Sequence, residues 1–129
     1  MLSPKTSKEI EKLLKKVELT SSGIRATILS TVDGFHLVST IMDPELQERT
    51  AAMVSSLFAI AEQIGEGVLA GSFDYNATYS TEEILITRKV NDKVLLSVIT
   101  SKKTNTSLLV TILNKNASII AEMIEDEIS

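Results

Sequence analysis

The chain has no cysteine and no tryptophan, only one histidine, two prolines and five glycines, and aromatic residues make up 4% of it. Without cysteine there is no disulfide framework, no thiol nucleophile and no thiolate zinc site. A single histidine, His36, has no second histidine to share a metal or complete a nucleophile–base pair. Positive charge is also in deficit: 13 Lys and Arg against 17 Asp and Glu leave a formal charge of −4, which argues against a nucleic-acid partner. No uninterrupted apolar run approaches the roughly 20 residues of a membrane span. Met1-Leu2-Ser3-Pro4-Lys5 lacks the apolar centre of a signal peptide. The expectation is one soluble cytoplasmic domain over residues 1–129, with no metal and no cofactor. At this length a hydrophobic core suffices without staples.

The best-marked element is Asp43–Glu66. Asp43 is a favoured N-cap, Pro44 suits the first helical position, and Gly65 and Gly67 supply a stop. At 100° per residue, Leu46, Thr50, Met53, Val54, Leu57, Ile60, Ala61 and Ile64 form a broad apolar stripe, with Phe58 at its margin. That stripe is expected to lie on a sheet. The other side carries Ala51, Ala52, Ser55, Ser56 and Ala59, with Glu48, Glu62 and Glu66 towards the ends. Alanine is a good helix former, which accounts for part of this. The small residues also suit a second packing face, most simply against the same helix of a twin subunit.

Thr6–Leu19 reads as a helix, with Thr6 and Glu9 at capping-box spacing and Ile10, Leu13, Leu14 and Val17 on one face. Its opposite side holds Lys5, Lys8, Lys12, Lys15 and Lys16 among Glu9, Glu11 and Glu18, a pattern that suits a solvated face, an acidic partner or an anionic membrane. Ile24–Val32 and Phe35–Ile41 are strands joined by Asp33-Gly34, a hairpin signal that asks positive φ of both residues. Ser72–Thr81, Glu83–Val90 and Lys93–Thr100 are three further strands. The first of them alternates Phe73, Tyr75, Ala77 and Tyr79 with polar residues, and its only charge is Asp74, so it reads as an unprotected edge. A last helix spans about Asn105 to Ile124 and is expected to fray beyond it, because Glu125, Asp126 and Glu127 oppose the macrodipole.

Gly65-x-Gly67-x-x-x-Gly71 leaves a helix and enters a strand, the reverse of a phosphate-binding turn. The triplets at Asn76, Asn105 and Asn116 match the glycosylation pattern, which carries no weight without export. No catalytic constellation stands out. The chain reads as a non-enzyme.

The run Gly23-Ile24-Arg25-Ala26-Thr27-Ile28-Leu29, then Val32-Asp33-Gly34-Phe35-His36-Leu37-Val38-Ser39, resembles the opening of the Roadblock family (dynein light-chain type). The likeness continues through Asp43, Glu45, Ala51-Ala52-Met53, Leu57 and Ala61-Glu62 and covers about residues 23–124, with Ala26 where many members have glycine. The resemblance implies a profilin-like α/β fold, α-β-β-α-β-β-β-α, with a five-stranded antiparallel sheet and helices on both faces. It also implies a homodimer, or a heterodimer with a second Roadblock protein, joined by the central helix and third strand. That interface would include Ala51, Ala52, Ser55, Ser56, Ala59, Phe73, Asp74, Tyr75, Asn76, Ala77 and Thr78. Family members are platforms for small Ras-like GTPases or adaptors in motor and signalling complexes; candidates for GTPase contact are Glu48, Arg49, Glu62, Gln63 and Glu66. A small-ligand sensor is the remaining alternative, for which the sequence supplies no convergent polar residues.

Overall fold

The computed structural model describes all 129 residues. Its elements are α1 (Pro4–Leu19), β1 (Ile24–Thr31), β2 (His36–Ser39), α2 (Pro44–Gly67), β3 (Asn76–Tyr79), β4 (Glu83–Asn91), β5 (Val94–Ser101) and α3 (Thr106–Ile124). The strands form one antiparallel sheet in the order β2-β1-β5-β4-β3, so β2 and β3 are its edges.

Period-two alternation divides the sheet between two unequal layers. Val94, Leu96 and Val98 of β5 and Ile84 and Ile86 of β4 join Ile10, Leu14 and Val17 of α1 and Leu109, Leu113, Ala117, Ile120 and Ile124 of α3 in the main core. On the opposite side, Leu95 joins only Val54 and Phe58 of α2 in a far smaller cluster. By the same alternation Ala26, Ser30, Thr87 and Ser97 face α2, and Thr87 Oγ1 and Ser97 Oγ are hydrogen-bonded at 2.8 Å. Ile28, Leu85 and Ile99 share this face, so small and large side chains are interleaved beneath α2.

Several local expectations change. α1 starts at Pro4 rather than Thr6, because Ser3 is the N-cap and its Oγ accepts from Thr6 N at 3.2 Å. In the β1–β2 turn only Gly34 has positive φ, at 98°. Gly34 N donates to Thr31 O and Thr31 N to Phe35 O, so the loop is one residue longer than a two-residue hairpin, with glycine alone in the left-handed position. α3 does end at Ile124, but the tail beyond it is held. Ile128 packs against the core, its carbonyl accepts from Asn91 Nδ2 at 2.9 Å, and the Glu127 carboxylate accepts from Ser3 N and Thr6 Oγ1. A carboxylate at the N-terminal end of α1 meets free N–H groups and the positive end of its dipole. Those hydrogen bonds hold the Glu127 carboxyl below its usual range.

By length and apolar composition α3 is long and apolar enough to cross a membrane. Here Leu109, Leu113, Ala117, Ile120 and Ile124 lie buried on the sheet, and buried Asn116 donates from Nδ2 to Ile112 O at 2.8 Å. That arrangement is a core helix.

Candidate interface on the second helix

α2 carries the largest departure from expectation. Its buried residues are Ala51, Val54, Ser55, Phe58 and Gly65. Ala51 is 0% exposed and Ser55 8%, so these two small residues face the sheet and are unavailable to a partner. Of the apolar stripe expected on the sheet, Val54 does lie there with Phe58 of its margin, but Met53 (65% exposed), Leu57 (37%), Ile60 (58%) and Ile64 (47%) point outward. On this side of the sheet Ala26, Ser30, Thr87 and Ser97 stand among Ile28, Leu85, Leu95 and Ile99, and the small Ala51 and Ser55 let α2 approach closely. The closeness is direct at Gly34, where an added Cβ would stand 3.0 Å from Ser55 Oγ and 3.4 Å from Ala52 Cα. Ala52, Ser56 and Ala59 remain exposed on one flank of the outward stripe, and Val68 and Leu69 continue its apolar character past the helix end.

Gly65 does not stop the helix, which runs on to Gly67 with Val68 as C-cap. Gly65 is buried because Phe73 closes over it: an added Cβ would stand 2.3 Å from Phe73 Cδ1 and 2.9 Å from its Cβ. The Phe73 ring meets Phe58 edge-on at a centroid distance of 5.2 Å, and Phe73 N donates to Glu66 Oε1 at 3.0 Å. These ties hold Ser72–Tyr75 under the end of α2. β3 is therefore four residues, not the ten expected over Ser72–Thr81. Phe73, Asp74 and Tyr75 of the expected interface lie before the strand, while Asn76, Ala77 and Thr78 are in it. Gly65→Ala is expected to lose about 1–2 kcal/mol of stability despite alanine's higher helix propensity, because Phe73 must leave Phe58. Chemical denaturation checks this, and a stability equal to or above that of the parent chain would show that the loop yields freely.

With Asp74 outside it, β3 carries neither charge nor proline. β2, the other edge, is flanked by both α1 and α2. The N–H and C=O groups that β3 turns away from β4 are a ready template for another strand. A groove of about 380 Å³, lined in part by Ile64, Gly65, Leu69, Phe73 and Tyr75, connects this edge to the end of α2.

The five residues expected to meet a GTPase separate into two groups. Glu48, Arg49 and Gln63 are exposed. Glu62 is engaged with Lys89, Oε2 to Nζ 2.7 Å, and this hydrogen bond raises the Lys89 pKa. Glu66 holds the Phe73 loop. His36 sits half-buried with Nε2 2.8 Å from Ser39 Oγ, and burial lowers its pKa. No group of three or more His, Cys, Asp or Glu residues is placed to hold a metal ion.

Residues 8–127 match the family described as mitogen-activated protein kinase kinase 1 interacting. The chain belongs to that family. No curated protein sequence matches it. Among solved structures it is similar to MglB with a tetrameric arrangement (15% identity, 98% of this chain and 95% of that one, TM-score 0.84). It also resembles the Roadblock/LC7 domain from Streptomyces avermitilis (14% identity, 90% and 94% covered, TM-score 0.76). Acanthamoeba castellanii profilin IB is more distant (14% identity, 87% and 97% covered, TM-score 0.59). The fold is that of the Roadblock family, with a profilin-like arrangement of sheet and helices.

Proposed function

We propose that the protein is a self-associating, non-enzymatic platform that binds a small Ras-like GTPase and modulates its nucleotide cycle. One observation carries this reading: the outward stripe Met53, Leu57, Ile60 and Ile64 lies on the helix that touches the open edge β3. An apolar helix face and an unpaired strand together suit a two-fold partner, a second copy or another Roadblock protein, whose helix covers the stripe and whose strand extends the sheet. The tetrameric arrangement described for MglB supports self-association of this fold. Ala52, Ser56 and Ala59 flank that contact, and Glu48, Arg49 and Gln63 remain exposed for the GTPase. Glu62 and Glu66 act mainly by keeping α2 and its following loop in place.

Light scattering is expected to report twice the 14.1 kDa chain mass. Immobilised protein is expected to retain a Ras-like GTPase in one nucleotide state in preference to the other. Equal retention of the GTP- and GDP-loaded forms would instead make the protein a structural adaptor without nucleotide sensing. A chain that stays monomeric at high concentration would remove the platform altogether.

A further inference from the structure

The outer face of α1 has no counterpart in the proposed platform. At 100° per residue Lys5, Lys8, Lys12, Lys15 and Lys16 fall within roughly 100° of arc, and all five are exposed. The acidic residues interleaved with them do little to neutralise this face. Glu11 pairs with Lys15 at 3.4 Å, and Glu18 turns inward to accept from Thr27 Oγ1 at 2.9 Å. Lys8, Lys12 and Lys16 have no ion-pair partner, and Glu9 alone stands beside them as an uncommitted carboxylate.

Two features extend the face at its C-terminal end. Leu19 falls within the same arc as the lysines and is 86% exposed. The turn after β5 lies alongside: Ser101 N donates to Gly23 O at 2.8 Å, which brings the exposed Lys102 and Lys103 next to the Thr20–Gly23 loop, with the exposed Glu82, whose carbonyl accepts from Lys102 N, beside them. Glu127, by contrast, sits at the other end of α1. The result is a helix about 24 Å long, lysine-bearing along its length, with an apolar side chain near the additional lysines.

We infer that this face of α1 lies on an anionic lipid surface, with Lys8, Lys12, Lys16, Lys102 and Lys103 over the headgroups and Leu19 inserted between them. Charge complementarity selects an anionic occupant, and the composition selects lipid over protein. Protein contacts concentrate on tryptophan, tyrosine and arginine set in pockets, and this face has none of these. Lysines with flexible stems around an exposed leucine suit an interface of mobile phosphate and carboxylate groups. α1 and α2 cover opposite faces of the sheet, so docking through α1 leaves the α2 stripe and β3 free.

Co-sedimentation of the full chain with vesicles tests this, using 30% phosphatidylserine in phosphatidylcholine against pure phosphatidylcholine. Binding is expected only to the anionic vesicles and to fall steeply between 50 and 300 mM salt. The variant Lys8→Glu/Lys12→Glu/Lys16→Glu is expected to lose at least tenfold in partition, with circular dichroism reporting its fold. The milder Lys8→Gln/Lys12→Gln/Lys16→Gln guards against a folding defect and should also bind less. Leu19→Ser keeps every charge, and its expected loss of several-fold marks insertion rather than adsorption. Absence of binding to anionic vesicles at 50 mM salt, or equal binding by the lysine variants, would overturn the inference. So would retention by an acidic protein column together with no vesicle binding.

Discussion

Ile60→Glu is expected to convert the proposed two-fold pair to monomer without unfolding the chain. Ile60 is 58% exposed at the centre of the outward stripe, so in the isolated chain a carboxylate there stays hydrated. In the proposed two-fold pair the same position would be buried, and each dimer would enclose two unpaired carboxylates. A penalty of about 4 kcal/mol raises the dissociation constant about a thousandfold, at 1.4 kcal/mol per factor of ten. Sedimentation velocity across a concentration series reads this directly. The neighbouring Ala59→Glu is the control. Ala59 lies on the flank, about 100° round the helix, and a carboxylate there is expected to remain solvated and leave the dimer measurable. If Ala59→Glu dissociates the protein and Ile60→Glu does not, the contact runs along the small-residue flank and the stripe has another purpose.

The second large effect concerns the opposite face of the same helix. Ala51→Glu is expected to leave the chain unfolded or molten at room temperature. Ala51 is 0% exposed between α2 and the sheet. A carboxylate there would be stripped of water, and a volume several times that of a methyl must also be found. The combined cost of several kcal/mol is comparable with the whole stability of a domain of this size, about 5–15 kcal/mol. Ala52→Glu, one residue along and exposed, is expected to fold normally. Thermal melts and near-ultraviolet circular dichroism of the pair separate the outcomes, and two variants of equal stability would refute the inward placement of Ala51.

These two substitutions act on α2, where reading from sequence went wrong in an instructive way. Of the stripe that periodicity groups, Val54 meets the sheet, while Met53, Leu57, Ile60 and Ile64 point outward. The usual rule that the apolar face meets the core holds for a chain that buries its helices alone. Here the sheet beneath mixes Ala26, Ser30, Thr87 and Ser97 with Ile28, Leu85, Leu95 and Ile99, and their meeting on one face depends on strand order and register, which local patterns do not carry. Gly65 illustrates the same limit. Near the end of a helical pattern a glycine reads as a stop. Only the return of Phe73, eight residues later in the chain, shows that its missing Cβ makes room for a ring.

The sequence by itself determined the element order, the β1–β2 hairpin and the Asp43-Pro44 start of α2. All of these rest on local physics: N-caps, prolines at first helical positions, turn residues and periods of 2 and 3.6 act within a few neighbours. The Ser3-Pro4 start of α1 was equally local and follows the same rule as Asp43-Pro44. Tertiary structure alone decided which side of α2 is left outward, how short β3 is, that Glu127 is tied to Ser3 and Thr6, and that Glu18 turns away from the lysines of α1. Each depends on residues distant in sequence meeting at close range. Side-chain size and hydrogen-bond partners then select between two faces that periodicity alone leaves equivalent.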